Sequence, residues 1–120
     1  MPDRLLTIAQ EQLDATPSDQ ARLRSAVNRA YYAAFLTART YCDDQALVTG
    51  TGASHEKVIN ALLDQRDLAK RGNQLNEMKR LRHKADYDWH RDITHRDARK
   101  TVKTCGELVA FFELPAPNSE

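Results

Sequence analysis

Apolar residues recur every three or four positions along most of the chain, which is the period of an amphipathic α-helix. The stretches with this spacing predict helices at residues 3–14, 19–42, 54–70, 73–87 and 94–113. The polar segments between them are short enough to make neighbouring helices antiparallel. The sequence therefore predicts an all-α fold, an up-and-down bundle of four main helices plus a short N-terminal helix.

The predicted helix ends carry residues that satisfy free backbone groups. Side chains suited to accept a hydrogen bond from first-turn amides stand at four predicted starts: Asp3, Ser18 or Asp19, Ser54, and Thr94, which Asp97 follows three residues later. Arg71-Gly72 is assigned as the C-cap of the third helix, because glycine is common just after a helix end. The fourth helix accordingly starts near Asn73 and ends before a turn at 88–92.

The composition supports one soluble helical domain. The chain has 120 residues, of which 41% are hydrophobic and 29% are charged. We expect residues 1–114 to form the bundle. Residues 115–120, which include Pro115 and Pro117, are expected to form a disordered tail. No apolar run approaches the roughly 20 residues that span a bilayer, and the N-terminus lacks the apolar core of a signal peptide. We therefore expect a cytoplasmic protein without a membrane partner.

The sequence carries no clear cofactor or metal motif. Cys42 and Cys105 are far apart in the chain, and we expect both to be buried and inert. The segment 50–52, Gly-Thr-Gly, follows no predicted strand and precedes no Gly-Lys-Ser/Thr, so it is not a phosphate-binding loop. Four side chains could be arranged as zinc ligands, although no tight Cys/His spacing supports such a site: His83, Asp86, His90 and His95. We expect no cofactor and no bound metal.

The charge is unevenly distributed, although the formal net charge is only +1. Residues 79–103 contain nine Lys or Arg and four Asp or Glu, whereas the rest of the chain has nine basic and thirteen acidic residues. A basic region of this kind can meet RNA or an acidic partner. It can equally be an ordinary solvated helix face.

The segment 81–90 holds more polar groups than a surface helix needs. It contains the single tryptophan, a tyrosine, two histidines, two carboxylates and two cations. Arg82 and Asp86 are four residues apart, which allows an ion pair worth roughly 0.3–0.5 kcal/mol if exposed. Asn28 and Arg29 lie at the edge of the apolar surface of the second helix, where a polar side chain needs a partner. We take the segment 81–90 as the main candidate functional surface.

Three motifs stand in order along the chain: Arg-Ser-Ala-Val-Asn-Arg-Ala-Tyr-Tyr-Ala-Ala-Phe at 24–35, Ser54-His55, and Arg82-x-x-Ala85-Asp86-Tyr87. The first resembles the second helix of small HEPN-domain proteins, a helical family named for higher eukaryotes and prokaryotes nucleotide-binding. The other two resemble a helix start and the Arg-x-x-Ala-Asp-Tyr signature of a stand-alone bacterial branch of that family. The resemblance runs from Leu5 to Phe112.

This resemblance implies a helical bundle that homodimerises and is often encoded beside a small nucleotidyltransferase as a toxin and antitoxin pair. Many members are metal-independent ribonucleases that carry an arginine and, after four to six intervening residues, a histidine. Arg82 corresponds to the arginine. The histidine would fall where this chain has Tyr87, Asp88 and Trp89, and His90 lies one residue beyond.

Metal-free RNA cleavage needs a cation for the charged phosphorane and groups that transfer protons. In this hypothesis Arg82 is the cation and His90 or His83 transfers the proton, each acid or base contributing roughly 10²- to 10⁴-fold. Asp86 and Tyr87 either replace the missing histidine or mark a branch without catalysis. The predicted catalytic set is Arg82, Asp86, Tyr87 and His90, and the further polar candidates are Asn28, Arg29, Tyr32, His55 and His83.

Two alternatives need no reaction. In one, the Arg82 and Asp86 pair is structural and meets its own copy at a symmetric dimer contact. In the other, the protein is a non-catalytic dimeric interaction module that binds RNA or a partner protein, or an antitoxin that neutralises a nucleotidyltransferase. The apolar residues around much of the second helix predict the homodimer in each case.

Overall fold

The computed structural model describes residues 2–15, 19–47 and 54–113, and these residues form five helices and no strand. The helices are α1 (Pro2–Ala15), α2 (Gln20–Asp44), α3 (His55–Leu63), α4 (Ala69–Tyr87) and α5 (His95–Glu113). The predicted all-α fold is confirmed, although the shortest helix is α3 with 9 residues rather than α1 with 14. The Gly-Thr-Gly segment and the predicted tail at 115–120 lie outside the described residues.

Helix α2 is the central element of the bundle. It packs most extensively against α5 and α1, and also against α4 and α3. Small side chains on several sides of α2 are fully buried, and they let its neighbours approach closely: Ala26, Ala30, Ala33, Ala34 and Ala38. The apolar circumference that predicted a dimer contact is therefore largely covered within a single chain.

Three of the predicted N-caps are confirmed and one is wrong. The side-chain oxygens of Asp19, Ser54 and Thr94 accept hydrogen bonds from the first-turn amides of α2, α3 and α5. Asp3 is not a cap, because α1 already includes Pro2, a residue whose fixed φ suits the first helical position. The Asp3 carboxylate instead lies in the first turn, where the helix dipole favours negative charge.

The predicted boundary between the third and fourth helices is also wrong. Helix α3 ends at Leu63, and the turn at 64–68 leads into α4 at Ala69. Gly72 is therefore not a C-cap but a buried residue in the first turn of α4. A Cβ atom at position 72 would lie 3.1 Å from Leu62 Cβ and 3.0 Å from Leu63 Cδ2. The glycine is needed for the close approach of α4 to the end of α3, not for a change of chain direction.

Alanine at Gly72 and at Gly106 will have different effects on stability. Both substitutions favour the helix intrinsically by about 0.8–1 kcal/mol, but only the Gly72 position is crowded, since a Cβ at Gly106 would meet nothing within 4 Å. Gly106→Ala should raise the free energy of unfolding by about 0.5–1 kcal/mol. The free energy of unfolding of Gly72→Ala should be about 1–3 kcal/mol lower than that of Gly106→Ala, because the added methyl group overpacks the contact. Urea unfolding followed by circular dichroism measures both, and equal stabilisation by the two variants would contradict the close approach.

Both cysteines are buried with free thiols, as predicted. Burial raises the pKa of the Cys42 thiol to about 11 and raises the pKa of Cys105 further still. The reactive thiolate form is therefore disfavoured at both positions. None of the helices in the described part of the chain is long and apolar enough to cross a membrane.

Candidate functional site

Arg82 lies on α4 with its guanidinium against two aromatic rings of α2. Its Cζ atom is 5.3 Å from the ring centroid of Tyr31 and 5.7 Å from that of Tyr32. Its Nη1 is 3.3 Å from Oδ2 of Asp86, one turn further along α4, and only 12% of its side chain is exposed. The predicted ion pair is confirmed, and because both side chains are largely buried, removing one partner would leave the other charge poorly solvated.

Asp86 also connects α4 to α2. Its two carboxylate oxygens accept hydrogen bonds from Nδ2 of Asn28, at 3.1 and 3.3 Å. The structure therefore brings together three of the sequence-predicted candidates, Asn28, Arg82 and Asp86. We call these three residues the Arg82 cluster. Its carboxylate is shared between a cation and an amide, which holds all three side chains in place.

An open depression of about 540 Å³ lies between α2 and the end of α4. Four of the candidates line it: Asn28, Arg29, Asp86 and Tyr87. The other candidates do not line it: Tyr32, His55, Arg82, His83 and His90. Trp89 completes its rim, and Arg29 is held by a hydrogen bond from its Nε to Ser25 Oγ. Tyr87 and Trp89 are 64% and 74% exposed and are the large hydrophobic side chains of the described residues that face solvent. We call this feature the α2–α4 depression.

Arg24 is a buried residue that the sequence reasoning did not single out. Its Nη1 donates to the carbonyl oxygens of Lys84, Ala85 and Asp88 at 2.8–3.3 Å, and its Nη2 donates to that of Arg91. These carbonyls belong to the last turn of α4 and to the turn that follows, so Arg24 caps α4 from another helix. Its guanidinium also lies 5.5 Å from the Trp89 ring centroid.

The sequence contains a spacing pattern that could have identified Arg24 as an inward-facing residue. Arg24, Asn28 and Tyr31 are spaced four and three residues apart, so they share one stripe of α2. Tyr31 is fully buried, and the stripe faces α4 through the contacts of Asn28 and Arg24. A charged residue on an inward stripe is rarely buried without hydrogen-bond partners.

His55, the first residue of α3, lies in an aromatic environment. Its ring is stacked on Phe35 with centroids 3.9 Å apart, and its Nδ1 is hydrogen-bonded to the Tyr31 hydroxyl. Burial lowers the pKa of His55, and the positive charges of Arg82, Lys79 and Arg39 lower it further. Burial likewise raises the pKa of Tyr31, so its phenol stays protonated and can donate a hydrogen bond to Nδ1. In that tautomer the imidazole carries its own proton on Nε2.

Neither of the two histidines proposed for proton transfer is a hydrogen-bond or ion-pair partner of the Arg82 guanidinium among the described residues. His83 is on an exposed face of α4 with its ring centroid 4.7 Å from that of Tyr87, and His90 is exposed in the turn after α4. The hydrogen-bond, ion-pair and cation–π partners of Arg82 are instead Asp86, Tyr31 and Tyr32.

The predicted zinc alternative gains no support. In the ranges 2–15, 19–47 and 54–113, no group of three His, Cys, Asp or Glu side chains converges in the way that would hold a metal ion. His83, Asp86, His90 and His95 are thus four separate side chains in this part of the chain, and Asp86 is already engaged by Arg82 and Asn28.

Comparison with known proteins gives one match. A family model described as HEPN domain matches residues 3–114, nearly the whole chain. No curated protein and no solved structure matches the chain.

Proposed function

The chain belongs to the HEPN-domain family, and from this premise we propose that it is a dimeric RNA-binding module of a bacterial toxin–antitoxin or defence system. The family match itself suggests a nucleotide-related or ribonuclease-like module. The observation that carries the RNA proposal is the α2–α4 depression, where Asn28 and Asp86 of the Arg82 cluster lie beside two exposed aromatic rings.

This combination of groups suits single-stranded RNA. Unpaired bases stack on exposed aromatic side chains, and each stacked base contributes roughly 1–3 kcal/mol. Trp89 and Tyr87 offer such faces at the rim of the depression. Arg29 at its wall and the basic region 79–103 supply positive charge for the phosphates.

RNA binding should depend on both salt and Trp89. The affinity for a single-stranded RNA oligonucleotide should fall steeply with rising salt, because Lys and Arg displace counterions from the phosphates. Trp89→Ala should weaken binding by about 5- to 150-fold, whereas Trp89→Phe, which keeps an aromatic face, should retain most of it. Fluorescence anisotropy measures both effects. Binding that is independent of salt and of Trp89 would instead favour a protein partner, such as a nucleotidyltransferase.

A second candidate function is metal-independent cleavage of the bound RNA. One observation favours it: the contact of His83 with Tyr87 brings an imidazole close to the depression that Asn28 and Asp86 of the Arg82 cluster line. Arg82 would stabilise the charged phosphorane, while His83 or His90 would transfer protons. His55 is a weaker candidate for the base, since its Nδ1 is hydrogen-bonded to the Tyr31 hydroxyl and its ring is stacked on Phe35.

We expect the protein to be a homodimer. The support is family membership, together with the exposed Trp89 and Tyr87, which a second copy can cover in part. Light scattering at micromolar concentration should give a mass about twice the 13.7 kDa of one chain. A mass of one chain at that concentration would contradict the dimer without affecting the RNA proposal.

A further inference from the structure

We propose that His55, Arg39 and Lys79 form a phosphoryl-binding subsite on the side of the Arg82 cluster nearest α3. The three residues come from three helices, α3, α2 and α4 respectively. None of them lines the α2–α4 depression, so the subsite is a second contact surface. Its ligand is a phosphoryl group, carried either by RNA or by a free nucleotide.

Two of the three residues pack against the aromatic ring of Phe35. The imidazole of His55 is stacked on it with an angle of 9° between the planes, and the Arg39 guanidinium carbon is 5.7 Å from the same ring centroid. Phe35 and Arg39 are four residues apart on α2, so they share one face of that helix. The two polar groups therefore lie on one apolar platform, which restricts their movement.

The third residue, Lys79, lies on α4 near Arg82. It precedes Arg82 by three residues, which puts both side chains on the same face of the helix. Arg82 contacts the rings of Tyr31 and Tyr32, and both of these rings contact that of His55. The positive charges of Arg82, Lys79 and Arg39 all lower the pKa of His55.

The positive charge at this position is not balanced by carboxylates. Within the described ranges, Asp86 pairs with Arg82, but neither Arg39 nor Lys79 forms an ion pair. Glu56 directly follows His55 in the chain, but it is exposed and is not among the charges that shift the pKa of His55. Like charges brought together repel each other, and a bound anion relieves that repulsion.

The donors at this position match a phosphoryl group. Lys79 and Arg39 present positively charged N–H groups, and phosphate oxygens are acceptors of such bonds. Nδ1 of His55 is engaged by the Tyr31 hydroxyl, so Nε2 is the ring nitrogen left to face a ligand, and it donates in the tautomer that is protonated there. A terminal phosphate has three non-bridging oxygens and more than one negative charge to set against two cations, whereas a carboxylate has two oxygens and one charge.

The test measures binding of pyrophosphate, ADP and a single-stranded RNA oligonucleotide to the full chain by isothermal titration calorimetry at low salt. Arg39→Gln and Lys79→Gln should each weaken binding of pyrophosphate and of ADP by about 10- to 100-fold, as expected for loss of a charged hydrogen-bond donor. Arg80→Gln is the matched control, because Arg80 is exposed on the same helix beside Lys79. His55→Gln is a further variant, and urea unfolding establishes that each variant is folded.

RNA as the carrier of the phosphoryl group rests on the proposed function. The outcomes below separate a failure of that proposal from a failure of the subsite. If pyrophosphate and ADP bind and depend on Arg39 and Lys79 while RNA does not bind, the subsite stands with a free nucleotide as its source, and the RNA proposal fails. If RNA affinity also falls in Arg39→Gln and Lys79→Gln but not in Arg80→Gln, the source is the RNA backbone. If all probes bind equally well to wild type and to both variants, or if pyrophosphate and ADP do not bind at all, the inference is overturned.

Discussion

Replacing Arg24 with alanine will lower the free energy of unfolding by about 3–5 kcal/mol, the range observed when a buried charge loses its partners or leaves them unpaired. The guanidinium donates to the backbone carbonyls of Lys84, Ala85, Asp88 and Arg91. Carbonyl groups at a helix end have no donor within the helix, so removing the guanidinium takes away the side-chain donor that these groups use. Urea unfolding followed by circular dichroism measures the loss.

Arg22→Ala is the matched control for Arg24→Ala. Arg22 is on the same helix, but its side chain is 46% exposed and its ion pair with Asp19 is long, at 3.9 Å. Its removal should cost less than about 1 kcal/mol. Arg24→Lys keeps the charge but cannot reproduce the planar fork that reaches four carbonyls, so most of the loss should remain. Equal stability of Arg24→Ala and Arg22→Ala would show that the turn after α4 is held by other contacts.

Replacing Arg82 with alanine will weaken RNA binding by about 10- to 100-fold and will reduce any RNA cleavage in EDTA to the level of buffer. Two effects act together. The cation is lost, and the carboxylate of Asp86 keeps only the Asn28 amide as a partner, so an unbalanced negative charge faces the phosphates in the depression. Anisotropy measures the affinity, and gel analysis of a labelled RNA measures the cleavage.

The second effect can be separated from the first with a double variant. Asp86→Asn removes the negative charge, so the pair Arg82→Ala and Asp86→Asn together should recover part of the RNA affinity that Arg82→Ala loses. Arg80→Ala, which changes an exposed cation two residues away, should reduce the affinity only slightly. RNA affinity that is unchanged in Arg82→Ala would remove the Arg82 cluster from the binding site, and unchanged cleavage would indicate a contaminating nuclease.

The features that the sequence predicted correctly depend on neighbours within about one helical turn. Asp19, Ser54 and Thr94 cap helices through bonds to amides two or three residues away. Arg82 and Asp86 pair across four residues of one helix. Helical spacing alone determines such contacts, because i, i+3 and i+4 side chains are adjacent whatever the rest of the chain does.

The features that the sequence predicts wrongly or misses depend instead on contacts between distant parts of the chain. Gly72 was assigned as a helix end because glycine is common there, but its role is set by the approach of Leu62 and Leu63 from α3. Arg24 was not singled out, since its four acceptors are at least 60 residues away along the chain. Spacing within a segment carries no information about which distant carbonyl a side chain will reach.

By itself the sequence determined the all-α class, most of the helix starts, the local Arg82–Asp86 pair and, through its three motifs, the family. The tertiary structure alone decided that Asn28 completes that pair, that His55 is held between Tyr31 and Phe35, and that Trp89 is exposed beside the depression. The reason is physical: helix formation and capping are governed by residues a few positions apart, whereas a site between helices exists only after their apolar faces have packed together.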